Sequence, residues 1–264
     1  MKLLILGGTT EATARAAALA GRKALAGREA LAGRDDLRPV LSLAGRTVSP
    51  ALPPIPHRIG GFGGVAGLVD YLASAGVEAV IDATHPFAAR ISAHAVEACA
   101  ARGVPLLAFT RPPWQPGPGD RWTAVPDLDA AARALGTAPR RVLLTVGRLG
   151  LSAFRAAPHH RYVVRTIDPP DPADLPPDHR LVLDRGPFRL AAETALLRDA
   201  GIDVLVTKNS GGTAAAAKLD AARALGIAVV AVARPAPAGS RREAFALAEV
   251  LAWIDARAHA EPRP

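Results

Sequence analysis

Short apolar segments alternate with alanine-rich segments along almost the whole chain. The first is Lys2-Leu3-Leu4-Ile5-Leu6, and the longest uninterrupted apolar run, from Ile227 to Ala233, has only the length of a strand. Segments that are apolar at every position are typical of parallel strands whose two faces are both covered by helices. Their regular alternation with helical segments therefore predicts βαβ units and an α/β protein with mostly parallel sheets.

The order of the predicted elements suggests two similar halves. We predict strands at 2–6, 39–43, 56–59, 77–82, 104–109, 141–146, 161–166, 180–184, 203–207 and 227–233. We predict helices from about Thr10 and over 65–75, 87–101, 127–135, 148–156, 188–200, 213–225 and 241–257. Residues 112–119 hold four prolines and two glycines, which indicates a linker. We therefore expect two Rossmann-like domains, 1–114 and 115–264, around a central cleft.

Composition narrows the class of protein. Half of the residues are hydrophobic and 21% are charged, which excludes wholesale disorder. The single cysteine, Cys99, excludes an intrachain disulfide and fits a reducing compartment. No run approaches the ~18 apolar residues of a membrane helix, and the apolar start of the chain stops at Gly7, short of a signal peptide. We expect a cytoplasmic protein that needs no membrane.

The chain is basic, with 32 Lys and Arg against 24 Asp and Glu. Nucleic acid is one partner that such a charge allows. The cations are spread along the chain and only 4% of residues are aromatic, so base stacking has little support. A small polyanionic substrate or a phosphorylated cofactor explains the charge as well, and we expect no nucleic acid.

The clearest local pattern follows the first strand. Gly7-Gly8-Thr9-Thr10-Glu11-Ala12 is a glycine turn that leads into a helix. In a doubly wound sheet this corner binds phosphate, because glycines let the backbone approach and free amide groups at the helix start hold an anion. The full Gly-x-Gly-x-x-Gly pattern is broken by Thr9 and Ala12, and a plain tight turn is the alternative.

The end of the second strand indicates which dinucleotide fits. An NAD site usually places an acid there for the ribose hydroxyl, but none occurs from Leu37 to Pro50. Arg46 stands there instead, beside Thr47. A guanidinium suits a 2′-phosphate, so the pattern favours NADPH over NADH. The alternative is an ordinary solvated arginine.

Two further segments lie at predicted strand ends of the first half. Gly60-Gly61-Phe62-Gly63-Gly64 has little steric bulk and can lie flat against a cofactor, with Phe62 as its one packing group. Thr84 and His85 follow the fourth strand, at the edge that carries ligands in such sheets. A flexible connection and a polar helix cap are the alternatives.

The second half repeats this logic at 206–213. Lys208, Asn209 and Ser210 follow a strand and precede a glycine-rich turn, with Lys218 in the helix beyond. A lysine beside a helix start forms an anion site, although a surface lysine is the alternative.

Other chemistries are excluded by motifs that the sequence lacks. The chain contains no Gly-Lys pair for a P-loop, no His-Glu-x-x-His and no Gly-x-Ser-x-Gly, and one cysteine cannot build a metal cage. We expect no metal.

Taken in order, these motifs resemble the precorrin-6A reductase family of cobalamin (vitamin B12) synthesis. Further segments that carry the resemblance are Ser42 to Arg46, Asp82 to Ala88, Arg185-Gly186-Pro187-Phe188 and Arg234-Pro235. The resemblance implies an oxidoreductase that reduces one double bond of the precorrin-6A macrocycle to give precorrin-6B, with hydride from NADPH. It also implies two Rossmann-like domains, with strand exchange between them as an option.

The resemblance also assigns roles. Gly7 to Ala12 and Arg46 are expected to hold the NADPH phosphates, and Gly61, Phe62, Gly63, Thr84 and His85 to line the nicotinamide region. Lys208, Asn209 and Ser210 are expected to face the tetrapyrrole. Because a precorrin carries many carboxylates, Arg111, Trp114 and Lys218 join them as candidate substrate contacts.

If a proton donor exists, His85 and Lys208 are the catalytic candidates. A monomer is expected. Two alternatives stay open: a cobalt-precorrin-6A reductase of the anaerobic pathway, and a non-catalytic protein that binds NADPH or a tetrapyrrole.

Overall fold

A computed structural model describes residues 1–7, 37–45, 55–237 and 239–258 of the chain. Several expectations lie outside these residues: the helix from Thr10, phosphate binding by Gly8, Thr9, Thr10, Glu11 and Ala12, and 2′-phosphate binding by Arg46. The chain divides into two compact units, Met1–Arg111 with Ala236–Pro264, and Pro112–Pro235. The last segment thus belongs with the first unit, whereas the expected division kept it in the second domain.

The first unit contains a six-stranded sheet in which every strand is parallel to its neighbours. Its strands are β1 (Lys2–Gly7), β2 (Arg38–Leu43), β3 (His57–Ile59), β4 (Ala79–Asp82), β5 (Leu106–Phe109) and β12 (Arg242–Ala244). The order across the sheet is β3-β2-β1-β4-β5-β12. This is the order of the dinucleotide-binding doubly wound fold, with the sixth strand supplied by the returning end of the chain.

The second unit has the same arrangement. Its strands are β6 (Trp122–Val125), β7 (Arg141–Thr145), β8 (Arg161–Thr166), β9 (His179–Leu183), β10 (Val204–Lys208) and β11 (Ala228–Val232). The order is β9-β8-β7-β10-β11-β6, again all parallel, and here the sixth position is taken by the strand that comes first along the unit. The prediction of an α/β protein with two Rossmann-like sheets is confirmed.

Helices cover both faces of each sheet. The described α-helices are α1 (Val65–Ser74), α2 (Ala89–Arg102), α3 (Leu128–Ala134), α4 (Leu190–Asp199), α5 (Ala217–Ala224) and α6 (Leu247–Ala258). In β1, Leu3 and Ile5 pack with α6, whereas Leu4 and Leu6 pack with α1 and α2. Successive strand residues face opposite sides, so a strand covered on both faces needs apolar residues on both, as Leu3 to Leu6 provide. None of the helices in the described segments is long and apolar enough to span a membrane.

Two predicted helices were wrong in part or in whole, and two strands were missed. The helix expected over 241–257 begins at Leu247, because Arg242–Ala244 form β12. Residues 148–156 are two short 3₁₀ segments, Arg148–Gly150 and Ser152–Ala156, rather than a helix. Gly147, which precedes them, has a φ of 75°, outside the helical region. Strands β6 and β12 were not predicted at all. Both are short edge strands with mostly exposed or half-exposed residues, so neither has the apolar run that reveals the central strands.

Candidate functional site

The first candidate site lies where β1 and β4 are neighbours. From β1 the chain runs to β2 and β3 on one side, and then returns to β4 on the other side. Ligands of such sheets bind at the carboxyl ends of the strands at this reversal. Gly7 ends β1 and Asp82 ends β4, with Leu6 opposite Asp82 in the register. The structure therefore brings the predicted residues Gly7, Thr84 and His85 to one edge.

Asp82 organises the turn that carries Thr84 and His85. Its carboxylate is 4% exposed and accepts hydrogen bonds from the Thr84 amide (3.1 Å) and the Thr84 hydroxyl (2.6 Å). The Arg241 guanidinium, which comes from the segment before β12, donates a third at 3.1 Å. Burial and the nearby Asp82 charge raise the pKa of the Cys99 thiol to about 12, so this cysteine stays protonated and unreactive.

His85 is held in one orientation by its own turn. Its Nδ1 accepts a hydrogen bond from the Phe87 amide at 3.2 Å, and the two rings lie 5.7 Å apart. Because Nδ1 is the acceptor, the proton of a neutral imidazole sits on Nε2. His85 can therefore act as a hydrogen-bond donor through Nε2, as a candidate ligand-orienting residue requires. The helix beyond it begins only at Ala89.

The glycine loop after β3 presents bare backbone. Gly60, Gly63 and Gly64 have φ values of 121°, 81° and 97°, which side chains rarely allow. A Cβ built on Gly60, Gly61, Gly63 or Gly64 comes within 4 Å of no atom among the described residues. Among the described residues, nothing covers this side of the loop, and a flat ligand can approach its peptide groups there.

Two residues that fix this loop were not singled out from the sequence. Arg58 donates to the Ser42 hydroxyl (2.8 Å) and to the carbonyls of Gly60 (3.0 Å) and Gly61 (2.9 Å). Its guanidinium also lies 3.9 Å from the centre of the Phe62 ring. Gly67 in α1 is required because a Cβ there would lie 1.7 Å from the Phe62 carbonyl oxygen. A glycine inside a helix was the only local signal for that contact.

Phe62 therefore packs against protein. Besides Arg58, its ring contacts Tyr71 edge to face, with centroids 5.2 Å apart. The backbone on either side of Phe62, rather than the ring alone, is the part of the loop that a ligand can reach.

The second candidate site lies at the corresponding reversal of the second sheet, between β7 and β10. Lys208 ends β10, and Thr145, which is opposite Thr207 in the register, ends β7. Gly147 follows with a φ of 75°, and no atom of the described residues lies within 4 Å of a Cβ built there. Lys208 is half-buried, and burial lowers the pKa of its ammonium group. A glycine with a positive φ and a partly desolvated cation thus share this edge.

Asn209 and Trp114 are joined by direct contacts. The Asn209 side chain accepts from the Trp114 amide (2.8 Å) and donates to the Trp114 carbonyl (2.9 Å). The Trp114 indole donates to the Gly212 carbonyl at 2.8 Å. These bonds fix the proline-rich segment, which we expected to be a linker, to the loop after β10.

Lys218, another predicted substrate residue, and Arg234 join this cluster. The ammonium group of Lys218 lies 5.1 Å from the centre of the Trp114 ring. Arg234 donates to the carbonyls of Asn209 and Ser210, at 2.9 and 3.0 Å. The structure therefore makes neighbours of five predicted residues: Trp114, Lys208, Asn209, Ser210 and Lys218. Arg111 is instead the last residue of the segment Met1–Arg111, which belongs to the first unit.

Arg165 is a cation of the second sheet that belongs to the core. It is buried in β8 and forms a two-pronged ion pair with the buried Glu193 of α4, with one of the two contacts at 3.0 Å. Phe188 stacks 4.0 Å from its guanidinium. Its charge is matched inside the protein, and it offers none to a ligand.

Comparison with known proteins agrees with this architecture. The family described as Precorrin-6x reductase CbiJ/CobK matches residues 2–255. The chain is 52% identical to a precorrin-6A reductase of Rhodobacter capsulatus, over 96% of this chain and 95% of that protein. A cobalt-precorrin-6A reductase of Priestia megaterium is 29% identical over 64% of this chain and 69% of its own length. A solved structure, CobK precorrin-6A reductase, superposes with a TM-score of 0.87 at 50% identity and covers 100% of this chain and 99% of its own.

Proposed function

The chain belongs to the precorrin-6x reductase family CbiJ/CobK, and we propose that it reduces one double bond of precorrin-6A, with NADPH as hydride donor, to give precorrin-6B. The observation that carries the proposal is the pairing of Gly7 with the Thr84–His85 turn at the reversal of a sheet that has the dinucleotide-binding order. The protein is an oxidoreductase of cobalamin synthesis.

The residues of the first edge fit a dinucleotide. The open side of the 60–64 loop leaves room for a flat group against the backbone, and several of its φ values are ones that only glycine tolerates easily. Gly7 supplies the strand end nearest the phosphate-binding corner. We propose that Thr84 and the Nε2 proton of His85 orient the nicotinamide end, since Asp82 and the Phe87 amide fix both side chains.

The second edge fits a polycarboxylate. Lys208 offers an ammonium group in a partly desolvated place, where its attraction for a carboxylate is stronger than in bulk water. Asn209 and Trp114 hold the loop that carries it. We propose that Lys208 and Ser210 contact the substrate, while Asn209, Trp114 and Lys218 position them.

The chemistry divides between cofactor and protein. When bound, NADPH would supply a hydride to one carbon of the double bond, and a proton would complete the addition at the other atom. The protein binds and orients the two reactants and excludes water, which is the main part of catalysis when a cofactor carries the reaction. His85 and Lys208 are our candidates for the proton donor. The lowered pKa of Lys208 brings it closer to the range in which an ammonium group donates a proton readily.

The test is anaerobic oxidation of NADPH by the purified protein with precorrin-6A and, in parallel, its cobalt complex. We expect turnover with precorrin-6A and a higher kcat/KM for the cobalt-free ring, since relatives named for the cobalt substrate match less of the chain at lower identity. Binding of NADPH without its oxidation on either substrate would show a non-catalytic binding protein and refute the proposal.

A further inference from the structure

The second sheet carries an apolar surface that the proposed roles leave unexplained. Among the described residues, seven large apolar side chains are exposed: Ile59, Leu149, Ile167, Leu181, Leu183, Leu190 and Phe245. Four of them, with exposed fractions of 66%, 48%, 52% and 51%, are Leu149, Ile167, Leu183 and Leu190, which we call the apolar rim. A cluster of exposed apolar side chains on a water-facing edge is a mark of a binding surface.

The rim residues share one edge because of the topology. Leu149 follows β7, Ile167 follows β8, and Leu183 ends β9. Leu183 is opposite Thr166 in the register, so Ile167 lies one residue beyond it. Because β7, β8 and β9 are adjacent and parallel, their carboxyl ends stand side by side over about 10 Å. Leu190 begins α4, the helix that follows β9, and so belongs to the same edge of the sheet.

Cations border this row. Arg185 and Arg189 are exposed in the turn between β9 and α4, and Arg148 stands next to Leu149. Asp168 and Asp184 are the acids next to the strand ends, and Asp171 and Asp174 lie farther along the segment after β8, where Asp171 caps a short 3₁₀ segment. The two exposed arginines of the turn after β9 are therefore the cations that the rim offers to a carboxylate. Lys208 belongs to the same edge, two strands from β8.

Apolar side chains bordered by arginines match one chemical class of ligand. A tetrapyrrole ring has a broad face that gains from leaving water, and its carboxylate side chains project from the periphery. A dinucleotide phosphate or a small organic acid would use the cations but not four exposed aliphatic groups. The width of three adjacent strand ends also suits a ring of that size.

We infer that the apolar rim is the surface on which the ring face of a polycarboxylate tetrapyrrole rests, with Leu149 and Leu183 as its main contacts and Arg185 and Arg189 as carboxylate partners. The inference rests on the proposed function and deepens it, because it assigns the ring face to side chains outside the Lys208 loop. It also makes these leucines determinants of specificity for a large ring over a small polyanion.

The test uses the full chain and a stable probe, uroporphyrin III, whose binding is followed by its own fluorescence. The variant Leu149→Asn with Leu183→Asn should raise the Kd for uroporphyrin III about tenfold or more, because exposed apolar contacts are lost without change to the core. The matched control is Leu181→Asn, on the same strand and face as Leu183 but two residues from the edge; its Kd should stay within about twofold of wild type. Melting temperatures of all variants should be near that of wild type.

A second probe separates ring contact from charge. Mellitate carries six carboxylates on one small ring, so it should bind weakly and equally to wild type and to the double leucine variant. Arg185→Gln with Arg189→Gln should weaken both probes and reduce the salt dependence of binding. Equal binding of uroporphyrin III by wild type and the leucine variant, or equal weakening by Leu181→Asn, overturns the inference.

Steady-state kinetics keep this inference apart from the proposed function. If wild type reduces precorrin-6A but the leucine variant keeps the wild-type KM for it, the inference fails and the proposed function stands. If wild type binds uroporphyrin III through the rim but oxidises no NADPH, the proposed function fails and the rim stands. If wild type is a dimer that the leucine variant dissociates with no change in either ligand's affinity, the rim is a subunit contact and the inference is overturned.

Discussion

The glycine loop after β3 allows stability and cofactor binding to be tested by adding one methyl group at either of two places. Gly61 has no atom of the described residues within 4 Å of a built Cβ, and its φ is outside the left-handed region. Gly61→Ala should therefore leave the melting temperature unchanged or slightly raised, because the substitution mainly restricts the unfolded chain. If NADPH lies against this backbone, the same methyl group separates the two surfaces.

The expected loss of affinity can be estimated. Forcing an extra methyl group into a close contact typically costs about 1–3 kcal/mol. At about 1.4 kcal/mol for each factor of ten, the Kd for NADPH should rise about fivefold to a hundredfold. Isothermal titration with NADPH measures this change directly.

Gly67→Ala is the matched variant on the other side of the loop. Its Cβ would lie 1.7 Å from the Phe62 carbonyl oxygen, and restoring even 3.0 Å requires the backbone to move by about 1.3 Å. We expect a loss of about 2–3 kcal/mol, or a melting temperature lower by roughly 4–12 °C. An unchanged melting temperature for Gly67→Ala would contradict the packing, and wild-type NADPH affinity in Gly61→Ala would remove the loop from the cofactor site.

Three further predictions concern the second unit. Arg165→Met should destabilise the protein by about 3–5 kcal/mol, because it leaves Glu193 buried without its charge partner. In urea unfolding, adding Glu193→Leu should recover most of that loss. A double variant as unstable as the single one would contradict this prediction. Burial and the nearby His159 lower the pKa of His160 below its ordinary 6.5. Its contribution to the free energy of unfolding is therefore full above pH 6.5 and is lost as the pH falls through the lowered value. In urea unfolding between pH 7.5 and 5, His160→Asn should reduce this loss of stability at acid pH, and an unchanged pH dependence would exclude His160 as its cause. If Lys208 donates the proton, kcat should fall as the pH rises through its lowered pKa, and Lys208→Arg should move that fall to higher pH; an identical pH profile would exclude it as the donor.

The central strands were predictable because burial on both faces demands apolar residues throughout. Strand β1 was expected at 2–6 and spans Lys2–Gly7, and β10 was expected at 203–207 and spans Val204–Lys208. Strand β12 was not predicted, because Arg242 and Glu243 are exposed at the sheet edge and only Ala244 is buried. An edge strand needs no apolar run, so its place in the sheet is decided by pairing with β5 rather than by its own composition.

The same distinction applies to the candidate sites. Strand ends of a parallel sheet share an edge, so the grouping of Gly7 with Thr84 and His85 could be predicted from order along the chain alone. The partners that fix these groups could not. Arg241 reaches Asp82 from 159 residues away, and Asn209 holds Trp114 across 95 residues. Such contacts depend on the tertiary fold, and no local sequence motif predicts them.

The two units show how one topology serves two chemistries. Both sheets have the same strand order and place the carboxyl ends of two strands at the reversal, so the topology alone does not decide which ligand each one takes. Side chains decide it. The first edge is bordered by glycines whose missing Cβ atoms leave room for close backbone contact, whereas the second edge exposes leucines with arginines and a partly desolvated lysine beside them. A dinucleotide is recognised mainly through backbone amide groups and a polycarboxylate ring mainly through side chains, so the proposed assignment follows from what each edge exposes.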